Sequence, residues 1–393
     1  MDSLSRCVTQ RPIRKMACVD RVKRVMRWVS LKSALIVVAA GILLAIPTAL
    51  VLNSLLTTSK TSTGTSNLVE LPADFNGVKE RQAQRLALAT PTPPQATATP
   101  AATPATSQPA PTTTPKPTPP PTPAVVPAFS HVFVIVMENH EYGSIIGSAS
   151  APYLNSLANS YGLATNYYGA SHPSLPNYLA LTAGSTFGIT SDCTTCYVNA
   201  TNIADQLEAS GRSWKAYMED MPSACYMGAS YANYAMKHNP FMYYTDIRNN
   251  ATRCSAHVVP FTQFSADMSS GQVPSFVWIT PNMCNDMHDC AVATGDNWLR
   301  SVVPTITGSA AFRNGGVLFI TFDEGTSSAG CCGDTSGGHI ATLVISARAI
   351  SGYRSGIAEN HYGLLRTIED AFRLGHLGAA SWASNVPLKE YFR

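Results

Sequence analysis

Two short apolar runs, at positions 132–137 and 317–322, carry β-branched, aromatic or other large apolar residues at nearly every position. Their length and composition predict strands buried on both faces. The first stops at Glu138-Asn139-His140 and the second at Asp323-Glu324-Gly325. Further strands are predicted over 213–218, 275–280 and 340–346. Helices are predicted over 151–161, 175–183, 202–209, from 296 to 303, and over 364–374, the last with the apolar spacing of a helix packed on a sheet. This alternation predicts an α/β domain with a mostly parallel sheet flanked by helices. Ligands of open α/β sheets bind outside the carboxyl ends of the strands. Glu138 and Asp323, distant in sequence, are therefore placed to converge on one cation.

The pattern changes before position 128. Arg6, Arg11, Arg14, Lys15, Arg21, Lys23, Arg24, Arg27 and Lys32 crowd a basic segment over 1–33, against Asp2 and Asp20. An apolar run over 34–52 follows, interrupted by Gly41, Pro47 and Thr48. At ~1.5 Å per residue it reaches across a ~30 Å hydrocarbon core. Residues 34–56 are thus expected to form a transmembrane anchor, with the basic segment cytoplasmic and the rest outside. The competing reading is a cleaved signal peptide, with translation from Met16 or Met26 shortening its basic region and the domain then secreted. Residues 57–127 read as a disordered linker, with Ala, Thr, Pro, Ser and Gln making up nearly all of its second half. Repeated proline favours an extended spacer. The remaining residues, 128–393, suit one domain.

A formal net charge of +3, concentrated at the N-terminus, gives no case for a nucleic-acid partner. Cys7 and Cys18 fall on the expected cytoplasmic side. The others, Cys193, Cys196, Cys225, Cys254, Cys284, Cys290, Cys331 and Cys332, are even in number and fit disulfides in an exported domain. Cys193-x-x-Cys196 could instead be half of a zinc site, but no second half with suitable spacing follows. Asn199-Ala-Thr201 and Asn250-Ala-Thr252 are glycosylation sequons only in a host that glycosylates. The sequence carries no signal for an oligomeric state.

Candidate chemistry collects at the predicted strand ends. Ser174, in His172-Pro173-Ser174-Leu175-Pro176-Asn177-Tyr178, stands at a predicted helix start, where free N–H groups and the helix dipole suit a phosphate oxyanion. The spacing also fits a residue that only caps the helix. Asn282, Asp286, His288 and Asp289 follow one strand, Gly337-Gly338-His339 precedes another, and His361 precedes the last helix.

Taken in order, Glu138-Asn139-His140, His172-Pro-Ser174-Leu-Pro-Asn177-Tyr, Phe322-Asp323-Glu324-Gly325, Gly338-His339 and His361-Tyr362-Gly-Leu-Leu-Arg-Thr-Ile-Glu-Asp-Ala-Phe resemble the phosphoesterase family of acid phosphatases and bacterial phospholipases C. The resemblance spans nearly all of 128–393 and implies an alkaline-phosphatase-like fold. It implies a metal-dependent phosphoester hydrolase with Ser174 as nucleophile. Glu138, Asn139, Asp323 and Glu324 would bind the metal, and Asn177 would hold a phosphate oxygen. His288 and His339 would contact phosphate or act as general acid, with His172, Asp289 and His361 further substrate-binding candidates. Two-zinc members of the wider superfamily carry Asp-His where this chain has Asp323-Glu324, so one divalent cation of open identity is expected. An oxygen-rich donor set of this kind suits a hard cation.

The chain has little room after His361 for the extra C-terminal domain of the phospholipase C branch, which favours phosphate monoesters. Phospholipase C or other phosphodiesterase activity is the alternative, with a phospholipid as substrate near a membrane. Sulfate or phosphonate esters are processed on similar scaffolds. A non-catalytic cell-surface binding module is the reading from another class, and Ser174 beside the acid pairs argues against it.

Overall fold

The computed structural model describes residues 125–333 and 335–393. The expected basic segment, membrane span and most of the linker lie outside the described residues. No helix among the described residues is long and apolar enough to cross a membrane.

The first strand, β1 (His131–Met137), is buried along its length after His131, as its apolar run requires. The following elements are α1 (Pro152–Ser160), β2 (Gly162–Tyr168), α2 (Ser174–Ala183), α3 (Ile203–Ala209) and β3 (Trp214–Met218). Then come β4 (Val258–Pro260), β5 (Phe276–Thr280), α4 (Val292–Thr307), β6 (Gly316–Phe322), β7 (His339–Ser346), β8 (Arg354–Ser355), β9 (Glu359–Asn360) and α5 (His361–Phe372). Short helical turns and a small hairpin of Ser230–Tyr231 with Tyr234–Ala235 fill the stretch between β3 and β4.

One nine-stranded sheet runs in the order β8-β2-β7-β6-β1-β5-β3-β4, with β9 also paired to β2. Strand β7 is antiparallel to both its neighbours, and every other pairing is parallel. The fold is thus α/β with a mixed, mainly parallel sheet. Registers align Met137 with Phe322, Met218 with Thr280, and Tyr168 with His339. The ends of β1, β2, β3, β5 and β6 and the start of β7 therefore share one edge.

Strand β2 has no counterpart in the predicted pattern. Its sequence Gly-Leu-Ala-Thr-Asn-Tyr-Tyr is irregular in polarity, and its pairing with β7 is broken by a register shift between Ala164 and Tyr167. A bulge of this kind erases the two-residue period that identifies a strand.

Helix α2 is buried at every position, so its apolar residues show no amphipathic stripe. Helix α1 is capped from outside: the Asp296 carboxylate on α4 accepts from Tyr153 N at 3.0 Å and Leu154 N at 2.8 Å. The loops after β2 and β6 and before β7 pass so closely that a Cβ on Gly338 would lie 2.7 Å from Gly325 Cα. Gly338 also has φ +86°, a conformation that side chains rarely adopt.

The domain's cysteines pair as Cys193–Cys196, Cys225–Cys254, Cys284–Cys290 and Cys331–Cys332, leaving none free among the described residues. Cys193-x-x-Cys196 is a disulfide and not half of a zinc site. The Cys284–Cys290 bridge closes the loop that carries Asp286, His288 and Asp289.

Candidate active site

The two strand ends do converge. Glu138, Asp323 and Ser174 are all buried, although two of them are acids. Ser174 opens α2, and its Oγ donates to Glu138 Oε2 at 3.1 Å. The other carboxylate oxygen, Glu138 Oε1, accepts from Tyr178 OH at 2.5 Å, one helical turn further along α2. Asp323 Oδ1 accepts from the backbone N of Asn139 at 3.0 Å. Asn139 has φ +56°, which turns the chain sharply after β1 and aims that N–H at Asp323.

The loop after β5 adds Asp286. Its backbone carbonyl accepts from Glu138 N at 2.9 Å, and its Oδ1 accepts from His288 N at 2.8 Å. His238 lies between the acids. Its Nδ1 is 3.2 Å from Asp286 Oδ2 and its Nε2 is 3.3 Å from Glu138 Oε1. Neither contact is aligned as a hydrogen bond, so His238 Nε2, Asp286 Oδ2 and Asp323 Oδ2 are buried polar atoms without a hydrogen-bond partner.

Burial and mutual repulsion work against ionisation here. The Glu138 carboxyl is pushed well above its ordinary range, first by burial and then by the charges of Asp323 and Asp286. Burial raises Asp323 too, against hydrogen bonds that favour its charge. Asp286 is pushed up to about 8, chiefly by burial, with the His288 N–H opposing and Asp323 adding to the shift. Glu324 is pushed up to about 9 by burial and by the neighbouring Asp323 and Asp192 charges. His238 is held well below its usual value, mainly by burial and then by Lys237 and His288. Buried like charges with unpartnered oxygens are the ordinary setting of a cation site.

Of the expected metal residues Glu138, Asn139, Asp323 and Glu324, Asn139 meets Asp323 through its backbone. A group among the described residues that could hold an ion is Glu138, His238 and His288, whose ligand atoms lie within 4.8 Å of one another. His238 carries no strand-end signal, since it sits in a short helical turn, Met236–His238, far from any predicted element. The same turn supplies Lys237, whose Nζ donates to Asp192 Oδ2 at 3.0 Å and to His288 Nε2 at 3.1 Å. Asp192 Oδ1 in turn accepts from Leu175 N at the start of α2. Lys237, His238 and Asp192 were not expected from the sequence, and Asp286 was noted there without a role.

Several expected roles meet a different geometry. Asn177 does not present its amide to a ligand. Its Oδ1 accepts from Ala170 N and Ser171 N, and its Nδ2 donates to Ser171 O and Pro173 O. It shapes the loop that delivers Ser174. His361 is buried with Nε2 donating to the Asp323 carbonyl at 2.5 Å and Nδ1 accepting from Tyr167 OH at 3.2 Å. It buttresses the end of β6, and burial lowers it to about 4. His339 reaches the same edge, but its ring stacks on Tyr142 and tilts against Tyr168, with Nε2 donating to Thr165 O at 3.0 Å. That nitrogen is held by a backbone carbonyl.

His288 has Nδ1 at 2.7 Å from the exposed Asp289 carboxylate and Nε2 facing the Lys237 ammonium. The pairing makes Nδ1 the donor and leaves a lone pair on Nε2, the tautomer of an acceptor or metal ligand and not of an acid. Asp289 orients that ring. His172 bonds Glu324 through Nδ1, and its Nε2 donates to Ser327 O at 3.0 Å. A cavity of about 420 Å³ borders Ser171, Tyr362 and Trp382, but none of the clustered acids lines it.

Comparison with known proteins shows the family. The Phosphoesterase family model matches residues 148–375. A phosphatidylinositol-3-phosphatase of Mycobacterium tuberculosis is 34% identical over 263 residues, covering 66% of this chain and 81% of that protein. An acid phosphatase of Aspergillus fumigatus is 30% identical over 271 residues, covering 66% of this chain and 58% of its own length. A solved Vibrio parahaemolyticus protein of the alkaline phosphatase superfamily superposes with a TM-score of 0.46 at 14% identity, over 66% of this chain and 72% of that one. With its strand-end acids and helix-start serine in one buried cluster, the chain belongs to the Phosphoesterase family and is a phosphoric ester hydrolase.

Proposed function

We propose that this protein hydrolyses phosphate monoesters with the help of one divalent cation and with Ser174 as nucleophile. The observation that supports this most is the Ser174 hydroxyl, 3.1 Å from Glu138 Oε2, in a cluster where Asp286 and Asp323 each keep one buried oxygen without a hydrogen-bond partner. Glu138 and Asp323 would hold the cation, with Glu324 and Asn139 beside them. A bound cation supplies Lewis-acid polarisation of the phosphoryl group and lowers the cost of ionising a nearby hydroxyl.

The chain's own groups carry the remaining work. Glu138 accepts the Ser174 hydrogen bond and fixes the rotamer from which Oγ attacks. Asn177 holds the preceding loop, and the His361 contact to the Asp323 carbonyl fixes the second acid. Attack by Ser174 Oγ on phosphorus would displace the alcohol and leave a phosphoserine, which water then hydrolyses. With the cytoplasmic basic segment, anchor and linker expected from the sequence, the domain would act outside the cytoplasm, tethered or secreted.

Substitution Ser174→Ala and chelation test this reading. Both are expected to abolish release of p-nitrophenol from p-nitrophenyl phosphate, with the circular-dichroism spectrum of the variant unchanged. Full activity in the variant removes the nucleophile, and indifference to chelators removes the cation.

A further inference from the structure

The acids at the site leave a charge problem that Lys237 is placed to solve. Glu138, Asp286, Asp323 and Glu324 crowd the site with buried carboxyl groups, yet a phosphate monoester arrives there as a dianion. Lys237 is a cationic side chain at the border of these acids, bonded to Asp192 and to His288. It is about one-fifth exposed, and its present partner Asp192 is similarly accessible. Burial opposes its charge, but the Asp192 hydrogen bond and the charges of Asp192, Glu138 and Asp323 outweigh that cost. The Nζ contacts His288, a member of the tight group with Glu138, and Glu138 contacts Ser174. The Asp192 that restrains it also binds Leu175 N, the residue next to the nucleophile. The ammonium is thus linked to Ser174 from two sides, through His288 and Glu138 and through Asp192 and Leu175 N.

Resting on the phosphoester reading above, we infer that Lys237 is a substrate-binding residue that exchanges its Asp192 partner for a non-bridging phosphoryl oxygen and makes the site selective for dianionic monoesters over monoanionic diesters. A monoester dianion offers three non-bridging oxygens that share two negative charges, whereas a diester offers two that share one, so a further cationic donor favours the monoester. A flexible four-carbon stem lets the point charge make this exchange without moving the helix. His288, whose Nε2 lone pair now steadies the ammonium, keeps it from folding back into solvent.

The test compares Lys237→Met and Lys237→Arg with the unaltered protein on p-nitrophenyl phosphate and bis-p-nitrophenyl phosphate, with inhibition by inorganic phosphate. Lys237→Met is expected to lower kcat/KM for the monoester about 100-fold, the scale of one lost charge-stabilising donor. The diester rate should fall less than about fivefold and phosphate inhibition should weaken about tenfold, roughly 1.4 kcal/mol. Lys237→Arg should restore most of the monoester rate. Equal losses on both esters with unchanged phosphate inhibition overturn the inference, because they show a lysine that only holds Asp192 and the start of α2. Turnover of neither ester by the unaltered protein with divalent metal supplied counts against the phosphoester reading alone. Calorimetric titration with inorganic phosphate still decides the role of Lys237, and equal affinities in the unaltered and Lys237→Met proteins overturn it.

Discussion

Glu138 does two things at once: one oxygen orders the Ser174 hydroxyl and the other takes the Tyr178 phenol. Replacing it by Gln keeps the volume and removes the charge. Glu138→Gln is expected to lower kcat at least about 100-fold, with bound divalent metal, measured by elemental analysis, falling in parallel. Because its carboxyl is destabilised by burial and by neighbouring acids, the substitution should also raise the melting temperature of the metal-free protein. A variant with ordinary turnover and ordinary metal content would show that this acid is only structural. The sequence exposed Glu138 because it ends an apolar run. It could not expose Lys237 or His238, which belong to a short turn inside a long irregular stretch and are brought to the site only by the packing of that stretch.

At the scale of elements, the loop between β2 and α2 decides where the nucleophile stands. Four hydrogen bonds between the Asn177 amide and loop backbone, two accepted and two donated, replace the ladder or helix bonds that the loop lacks. Asn177→Ala strands the Ala170 and Ser171 N–H groups in a buried setting, where each unsatisfied group costs about 1–3 kcal/mol. The variant is expected to unfold at lower urea concentration and to lose turnover together with stability. A stable Asn177→Ala protein with lost phosphate affinity would return Asn177 to the ligand-binding role that the motif implies. The Cys284–Cys290 bridge plays a comparable part for the loop after β5, since closing a short ring restricts how far Asp286 and His288 can move.

The whole molecule buries more acid than the site requires. Glu359 bonds Tyr391 OH and Glu369 accepts from Leu377 N, and each has one oxygen without a hydrogen bond. Burial, the largest cause for both, pushes each from 4.5 up to about 8. The folded chain therefore holds protons that the unfolded chain releases at lower pH. Stability from these groups is full below about pH 4.5 and is lost as the pH climbs towards about 8. Denaturation midpoints at fixed saturating metal should fall across that interval, and Glu369→Gln should flatten the slope; a slope unaffected by this substitution removes Glu369 from the account. The sequence by itself determined the α/β alternation, the acids at two strand ends and the serine at the start of α2, because strand burial and helix entry are local patterns. Only the tertiary structure decided that β2 exists despite its bulge, that the sequence-distant Lys-His turn lies beside the acids, and that Asn177 and His361 serve the backbone. Those outcomes depend on which groups remain unpaired once the chain is packed, and no local pattern carries that information.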